Sequence, residues 1–227
     1  MPRELSVYSD YIQEESLFFP PAEQWPDNDA ILTTTELLPE MFVDAFAHGV
    51  LPWPQGRYIR HIPWYSPNPR GIIEWDRFHI PRSLARTIRR NLFEIRYDTS
   101  FTEVMRGCAM GHPENDGGDS WITPKMIRTC TRLHEMGFAH SVESWRNGQL
   151  VGGVYGIAIR NVFVAESMFY RVPEAGKVAL VALRDRLLEK GCEIFDVEVV
   201  SANTRRFGAT EVPRSEYLRR LHRAVFG

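Results

Sequence analysis

Two apolar runs carry acidic residues where a buried strand should have none, and this constrains the fold more than any other feature. The first is Val162–Phe169, with Glu166 inside it; the second is Ile194–Glu198, with Asp196 and Glu198 two apart. Their length and composition predict β-strands. Side chains two apart on a strand share a face, so neighbouring strands would bring the three carboxylates together. Buried carboxylates cost free energy unless they are paired or hydrogen-bonded. Such a cluster points either to chemistry or to a cationic ligand. The structural alternative has Asp196 and Glu198 facing solvent and Glu166 paired with an arginine.

A chain of 227 residues suffices for one substantial core, or for a small domain attached to a larger one. A formal net charge of −2 gives no global attraction to nucleic acid, so any RNA contact needs a local basic patch. Cys108, Cys130 and Cys192 form no close pair, which argues against a disulfide framework and zinc-ligand spacing. The first residues show no cationic-then-apolar signal, and no run has the length of a membrane span. A soluble protein of the reducing cytoplasm, without membrane contact, is expected.

Residues 1–30 are acidic and aperiodic and are expected to drape over the surface. Pro39–His48 predicts a helix, and the proline- and aromatic-rich stretch from Leu51 to Pro69 an ordered loop. A boundary near residue 70 divides a small N-terminal domain (1–70) from a larger one (71–227). The larger part predicts a helix over Pro81–Asn91, a strand over Phe93–Tyr97, and a helix opened by Thr123-Pro124 and closed by Gly137. His140–Trp145 and Leu150–Ile159 form a hairpin around Asn147-Gly148, and a turn at Arg160-Asn161 leads into Val162–Phe169. A helix over Glu174–Lys190, a strand over Glu193–Val200 and a basic helix near Pro213–Ala224 follow. This pattern is α+β, with a mixed and mostly antiparallel sheet.

An ordered series of motifs is similar to bacterial leucyl/phenylalanyl-tRNA–protein transferases. It comprises Gly49–Trp53, Trp64–Arg70, His79–Ser83, Ser120–Pro124, Arg132–Glu143, Leu150–Gly156, Glu166–Phe169, Lys177–Leu180 and Gly208-Ala209. The resemblance implies a catalytic domain like the GCN5-related acyltransferases behind a small N-terminal domain. It implies transfer of an aminoacyl group, Leu or Phe, from the 3′ end of charged tRNA to a protein's N-terminal amine, which marks that protein for degradation. The partners would be aminoacyl-tRNA and an acceptor N-terminus, with no cofactor, no metal and a monomeric enzyme. An amine attacking an activated ester can rely on positioning and electrostatic stabilisation.

By the same resemblance Glu166 holds the α-amino group of the transferred residue, and Asp196 orients and polarises the attacking amine. Glu198 stands where the family has a glutamine that relays a proton; a carboxylate there could take the proton directly and would couple to Asp196. Trp53 and Trp121 match aromatics that embrace the terminal adenosine. Val154, Phe163, Met168, Leu180 and Leu183 match the apolar side-chain pocket, with Val154 replacing a methionine; taken alone, all would read as core. Arg82, Arg86, Arg89 and Arg90 share one helix face and match a tRNA-binding surface. Arg205, Arg206, Arg214, Arg219, Arg220 and Arg223 form a second basic region without an assigned partner.

The chain also departs from the family pattern at Ala165, at Thr33–Glu36 and at Asn203–Gly208. Arg205 and Arg206 near the catalytic strand would favour acceptors beginning with Asp or Glu over Arg or Lys, whereas Glu198 pulls the other way. Two further readings remain. A small-molecule N-acyltransferase is disfavoured because Val172–Val178 lacks the glycines of a pyrophosphate-binding turn. A degenerate RNA- or peptide-binding member is opposed by the retained Glu166 and Asp196.

Overall fold

The computed structural model describes residues 12–27, 29–54, 61–110 and 121–227. The elements are β1 (Leu32–Thr34), α1 (Pro39–Ala47), β2 (Leu51–Pro52), β3 (Ile62–Tyr65), β4 (Arg70–Ile73), α2 (Arg82–Arg89), β5 (Glu94–Tyr97) and α3 (Phe101–Ala109). They continue with α4 (Pro124–Glu135), β6 (Ala139–Arg146), β7 (Gln149–Ile159), β8 (Val162–Tyr170), α5 (Ala175–Glu189), β9 (Ile194–Glu198), α6 (Ala202–Arg206), β10 (Ala209–Val212) and α7 (Arg214–Phe226). The architecture is mixed α+β. Among these residues no helix is long and apolar enough to cross a membrane.

Local chemistry sets most boundaries. The Thr123 hydroxyl accepts the Met126 amide at 3.1 Å, and Pro124 sits where a missing amide costs nothing. Asn147 and Gly148 take φ of 52° and 73°, a primed turn whose twist matches the β6–β7 hairpin. Gly137 and Gly191, at φ 86° and 71°, end α4 and α5 in the left-handed conformation that glycine adopts without steric penalty.

Seven strands form the main sheet in the order β10-β4-β9-β8-β7-β6-β5, antiparallel throughout except for the parallel pair β8–β9. Parallel neighbours need a long crossover, which α5 supplies. One apolar layer packs α5 and α2 on the sheet through Leu180, Leu183, Leu187 and Leu84. The opposite layer joins α1, α3, α4 and α7 through Phe42, Val104, Leu133 and Leu221. A second sheet, β1-β3-β2, lies in the N-terminal part and ends at Tyr65.

The structure corrects several expectations. Residues 12–27 do not simply drape: Phe19 and Trp25 are buried, and the buried Asp44 accepts the Ser16 hydroxyl at 2.6 Å and the Leu17 amide at 3.0 Å. The stretch expected as a loop contains β2 and β3, and Trp64 at its centre is fully buried with Phe19 and Phe42 against it. Residues 1–11 and 55–60 lie outside the described residues. Helix α3 and strands β4 and β10 were not foreseen. Arg70, first residue of β4, is in the main sheet, and the core spans Phe42, Trp64, Ile72 and Tyr155 without a break.

Candidate active site

Strands β8 and β9 pair over only three positions, Val162–Ile194, Phe163–Phe195 and Val164–Asp196, and then part. Beyond that point β9 keeps its other partner, Gly71 of β4 opposite Glu198. β8 meanwhile shifts register against β7 between Tyr155 and Gly156, leaving Glu166 as the extra residue of a bulge. A Cβ on Gly156 would lie 2.2 Å from the Val164 carbonyl oxygen, so only glycine lets β8 approach this closely. Ala165–Met168 and Tyr170 are half-buried, while the remaining residues of β8 are buried. The two strands therefore fork here, and the carboxylates sit at the fork.

The three acidic side chains do converge, with different surroundings. Asp196 is 0% exposed and Arg70 1%. Arg70 Nε donates to both Asp196 oxygens at 3.1 and 2.9 Å, and Nη2 lies 2.8 Å from Oδ2. The Tyr217 hydroxyl donates to Oδ2 at 2.5 Å, and the Glu198 amide to Oδ1 at 2.7 Å. Arg70 also donates to the Gly49 carbonyl at 3.3 Å and lies over the Tyr217 ring, 4.6 Å from its centroid. Burial opposes the Arg70 charge, but Asp196 and its neighbours outweigh it and raise the guanidinium pKa. Both Asp196 oxygens are thus already engaged.

Glu198 ends β9 at φ 63°, a left-handed conformation uncommon for a side-chain-bearing residue and concentrated at functional sites. Its carboxyl and that of Glu166 lie near enough for each to shift the other's proton affinity. Glu166 Oε1 is sealed from solvent and receives no hydrogen bond from a protein donor. Burial pushes the Glu166 carboxyl up to about 8; Glu198 and the Arg70 charge oppose the rise and Asp196 adds to it. Burial, then the Glu166 charge, raises Glu198 well above the ordinary range, with Asp196 adding and Arg70 opposing. Burial, and after it the charge of Glu166, raises the pKa values of Cys130 on α4 and of Tyr155 on β7, whose buried hydroxyl also has no partner.

A stability prediction follows with a fixed sign. Between 4.5 and about 8 the unfolded Glu166 has lost its proton while the folded one retains it. Folding stability from this group is therefore full at low pH and declines as pH rises through that window. Urea unfolding of wild type and Glu166→Gln at pH 5 and pH 8 checks this: the variant's advantage should grow with pH.

Val154, Phe163, Leu180 and Leu183 are buried together in the layer under α5, with the half-buried Met168 packed on them and paired with Val154 across the strands. Trp53, 39% exposed, follows β2, and the half-buried Trp121 packs on the opposite layer. Arg82, Arg86, Arg89 and Arg90 are all exposed, opposite the buried Leu84, and none is ion-paired among the described residues. The second basic region divides: Arg214 pairs with Asp27, Arg219 with Glu216, and Arg220 with Glu216 and Glu74. Arg205 and Arg206 stay exposed on α6, which leads from the end of β9 to His79, whose amide donates to the Phe207 carbonyl at 3.1 Å. Among the described residues no group of three or more His, Cys, Asp or Glu could hold a metal ion.

Arg70, Tyr155 and Tyr217 were not singled out from sequence. Arg70 is 126 positions from Asp196, and no local pattern reveals a pair of that separation. The available signal was its place at the end of the Trp64–Arg70 motif.

The sequence pattern described as leucyl/phenylalanyl-tRNA protein transferase matches residues 72–222. The chain belongs to that family. It is 43% identical over 203 residues to the leucyl/phenylalanyl-tRNA–protein transferase of Aromatoleum aromaticum, covering 88% of this chain and 83% of that protein. The Herpetosiphon aurantiacus transferase is 42% identical over 193 residues, covering 85% and 96%. That of Nitratidesulfovibrio vulgaris (strain DP4) is 38% identical over 216 residues, covering 94% and 90%. Among solved structures, L-PGS from Bacillus licheniformis aligns with 75% of this chain and 54% of that chain at a TM-score of 0.39 and 13% identity, too distant to bear on function.

Proposed function

We infer that this transferase-family member moves Leu or Phe from aminoacyl-tRNA to the N-terminal amine of an acceptor protein and so creates a degradation signal. The observation that carries this reading is the carboxylate-lined fork between β8 and β9 within a family-matched chain. Parallel strands that part after three pairs, joined by α5 and flanked by antiparallel strands, support a GCN5-related acyltransferase-like catalytic fold. The edge of β8 past Val164 has no strand partner on the β9 side, and such backbone groups need a ligand or water.

Glu166 receives the donor's α-ammonium, which an unpartnered and sheltered carboxylate oxygen selects. The apolar group beneath α5 forms the side-chain pocket, and Trp53 and Trp121 stack on the terminal adenosine. Asp196 acts chiefly by fixing Arg70, Tyr217 and the Glu198 amide; it reaches the attacking amine only by exchanging one of these bonds. The reaction needs no redox or metal chemistry, because the ester is already activated.

The four arginines of α2 hold phosphates of the tRNA. Replacing Arg86 or Arg89 with alanine should weaken tRNA binding and make the slope of log affinity against log salt shallower by about 0.9 per arginine. Titrations at several salt concentrations check this. Unchanged slopes would remove α2 from the RNA interface.

The decisive assay supplies tRNA charged with labelled Leu or Phe together with peptides beginning Arg, Lys, Asp or Glu. Label on a peptide is the expected result. Preference for acidic starts would assign acceptor choice to Arg205 and Arg206, and equal rates would remove that role. No transfer to any of these peptides, with charged tRNA still bound, would reverse the reading in favour of a binding protein.

A further inference from the structure

Alternation along β8 breaks at its bulge, and the break fixes which layer Glu166 faces. Ala165 and Met168 both pack on the apolar layer beneath α5, although strict alternation would place them on opposite faces. The extra residue of the bulge accounts for this, so Glu166 and Ser167 between them both point to the opposite layer. Tyr155 of β7 is paired with Ser167 and belongs to that same opposite layer. Its ring meets Phe101 edge-on at 6.0 Å, and Phe101 stacks in turn on His134 at 4.5 Å, so α3 and α4 hold it in place.

Two buried polar atoms on this face have no hydrogen-bond partner among the described residues: the Tyr155 hydroxyl and Glu166 Oε1. Tyr155 is 0% exposed. Buried polar groups are nearly always partnered, and two orphaned neighbours on one face ask for a common explanation. A hydroxyl oxygen and a carboxylate oxygen both accept, so one ammonium can give a hydrogen to each.

We propose that Tyr155 is a binding residue for the donor, its hydroxyl oxygen accepting a second hydrogen bond from the α-ammonium that Glu166 receives. The proposal deepens the transferase reading and rests on it. Charge agrees with it. Asp196 is already matched by Arg70, and burial, then the Glu166 charge, raises the Tyr155 pKa, so the phenol stays neutral. Tyr155 thus adds direction to the site without adding charge. Held at two points, the amine fixes the orientation of the ester carbon beside it, which one ion pair would leave free to turn.

The test compares two hydrolysis-resistant adenosine amides, one phenylalanyl with a free α-amine and one 3-phenylpropionyl without it. Both are titrated at pH 6, where the amine carries its proton. Wild type should prefer the amine analogue. Tyr155→Phe should cut that preference about tenfold or more by weakening the amine analogue alone. Because the hydroxyl has no protein partner, the variant strands no group and should unfold in urea at nearly the wild-type midpoint.

An unchanged preference, or equal weakening of both analogues, would overturn the proposal, since a packing role does not distinguish an amine from a hydrogen. A large loss of stability in Tyr155→Phe would overturn it too, by showing that the hydroxyl serves the fold. Failure of the underlying reading looks different. Wild type would then show no preference for the amine, or Glu166→Gln would keep the whole preference, or charged tRNA would yield no transfer.

Discussion

Asp196→Ala is expected to cost about 3–5 kcal/mol of folding stability, because it strands the Arg70 guanidinium in the core. Arg70 is 1% exposed, and its remaining polar partner is the Gly49 carbonyl at 3.3 Å. The Tyr217 hydroxyl and the Glu198 amide lose their acceptor at the same time. Domains are stable by about 5–15 kcal/mol in total, so urea unfolding should show a large drop in midpoint. Adding Arg70→Met should return much of the loss, since a buried charge is removed together with its former partner. A fall below about 1 kcal/mol would mean that Arg70 finds another partner, and the pair would not hold the fork in shape. This bears on any activity test: lost transfer in Asp196→Ala reports folding as well as chemistry, and Asp196→Asn, which retains the shape, is the better probe.

Glu143→Ala should also be damaging, at about 3 kcal/mol, because the buried Ser141 hydroxyl and several part-buried donors lose one shared acceptor. Glu143, on β6, is 0% exposed. It accepts the Thr99 amide at 2.9 Å, the Ser100 amide at 2.7 Å, the Ser141 hydroxyl and the Trp145 indole at 3.0 Å each, and the Thr99 hydroxyl. Ser100 is the N-cap of α3 without a side-chain cap bond of its own, so this carboxylate from a distant strand stands in for the cap. Hydrogen exchange should accelerate first at Thr99 and Ser100, and the unfolding midpoint should drop. Unchanged exchange at those amides would show that water replaces the carboxylate. The effect should reach the site, since α3 packs Gly107 against the Phe169 ring of β8.

These two residues mark the limit of what was legible in sequence. Helix α4, the β6–β7 hairpin and α5 were readable because their determinants are local: Thr123-Pro124, Asn147-Gly148 and Gly191 fix backbone angles within a few residues. Helix α3 was not, because its cap is contributed by Glu143, more than forty positions away. Strands β4 and β10 escaped for a related reason: each has four residues and is stabilised by partners distant in sequence. Arg205 and Arg206 were visible as charge, but only the fold showed that Arg214, Arg219 and Arg220 are ion-paired and these two are not.

The sequence by itself determined that apolar strands carry Glu166, Asp196 and Glu198, and it determined the family through the order of its motifs. Strand periodicity and ordered motifs are properties of neighbours along the chain, so they survive without coordinates. Tertiary structure alone decided what surrounds each carboxylate. It buried Asp196 against Arg70 and Tyr217, placed Glu166 at a bulge, and gave Glu198 a left-handed backbone at the end of β9. A carboxylate's charge and proton depend on desolvation and on the nearest donors and charges. Here those come from β4, β7, α4 and α7, which meet only when the sheet is assembled.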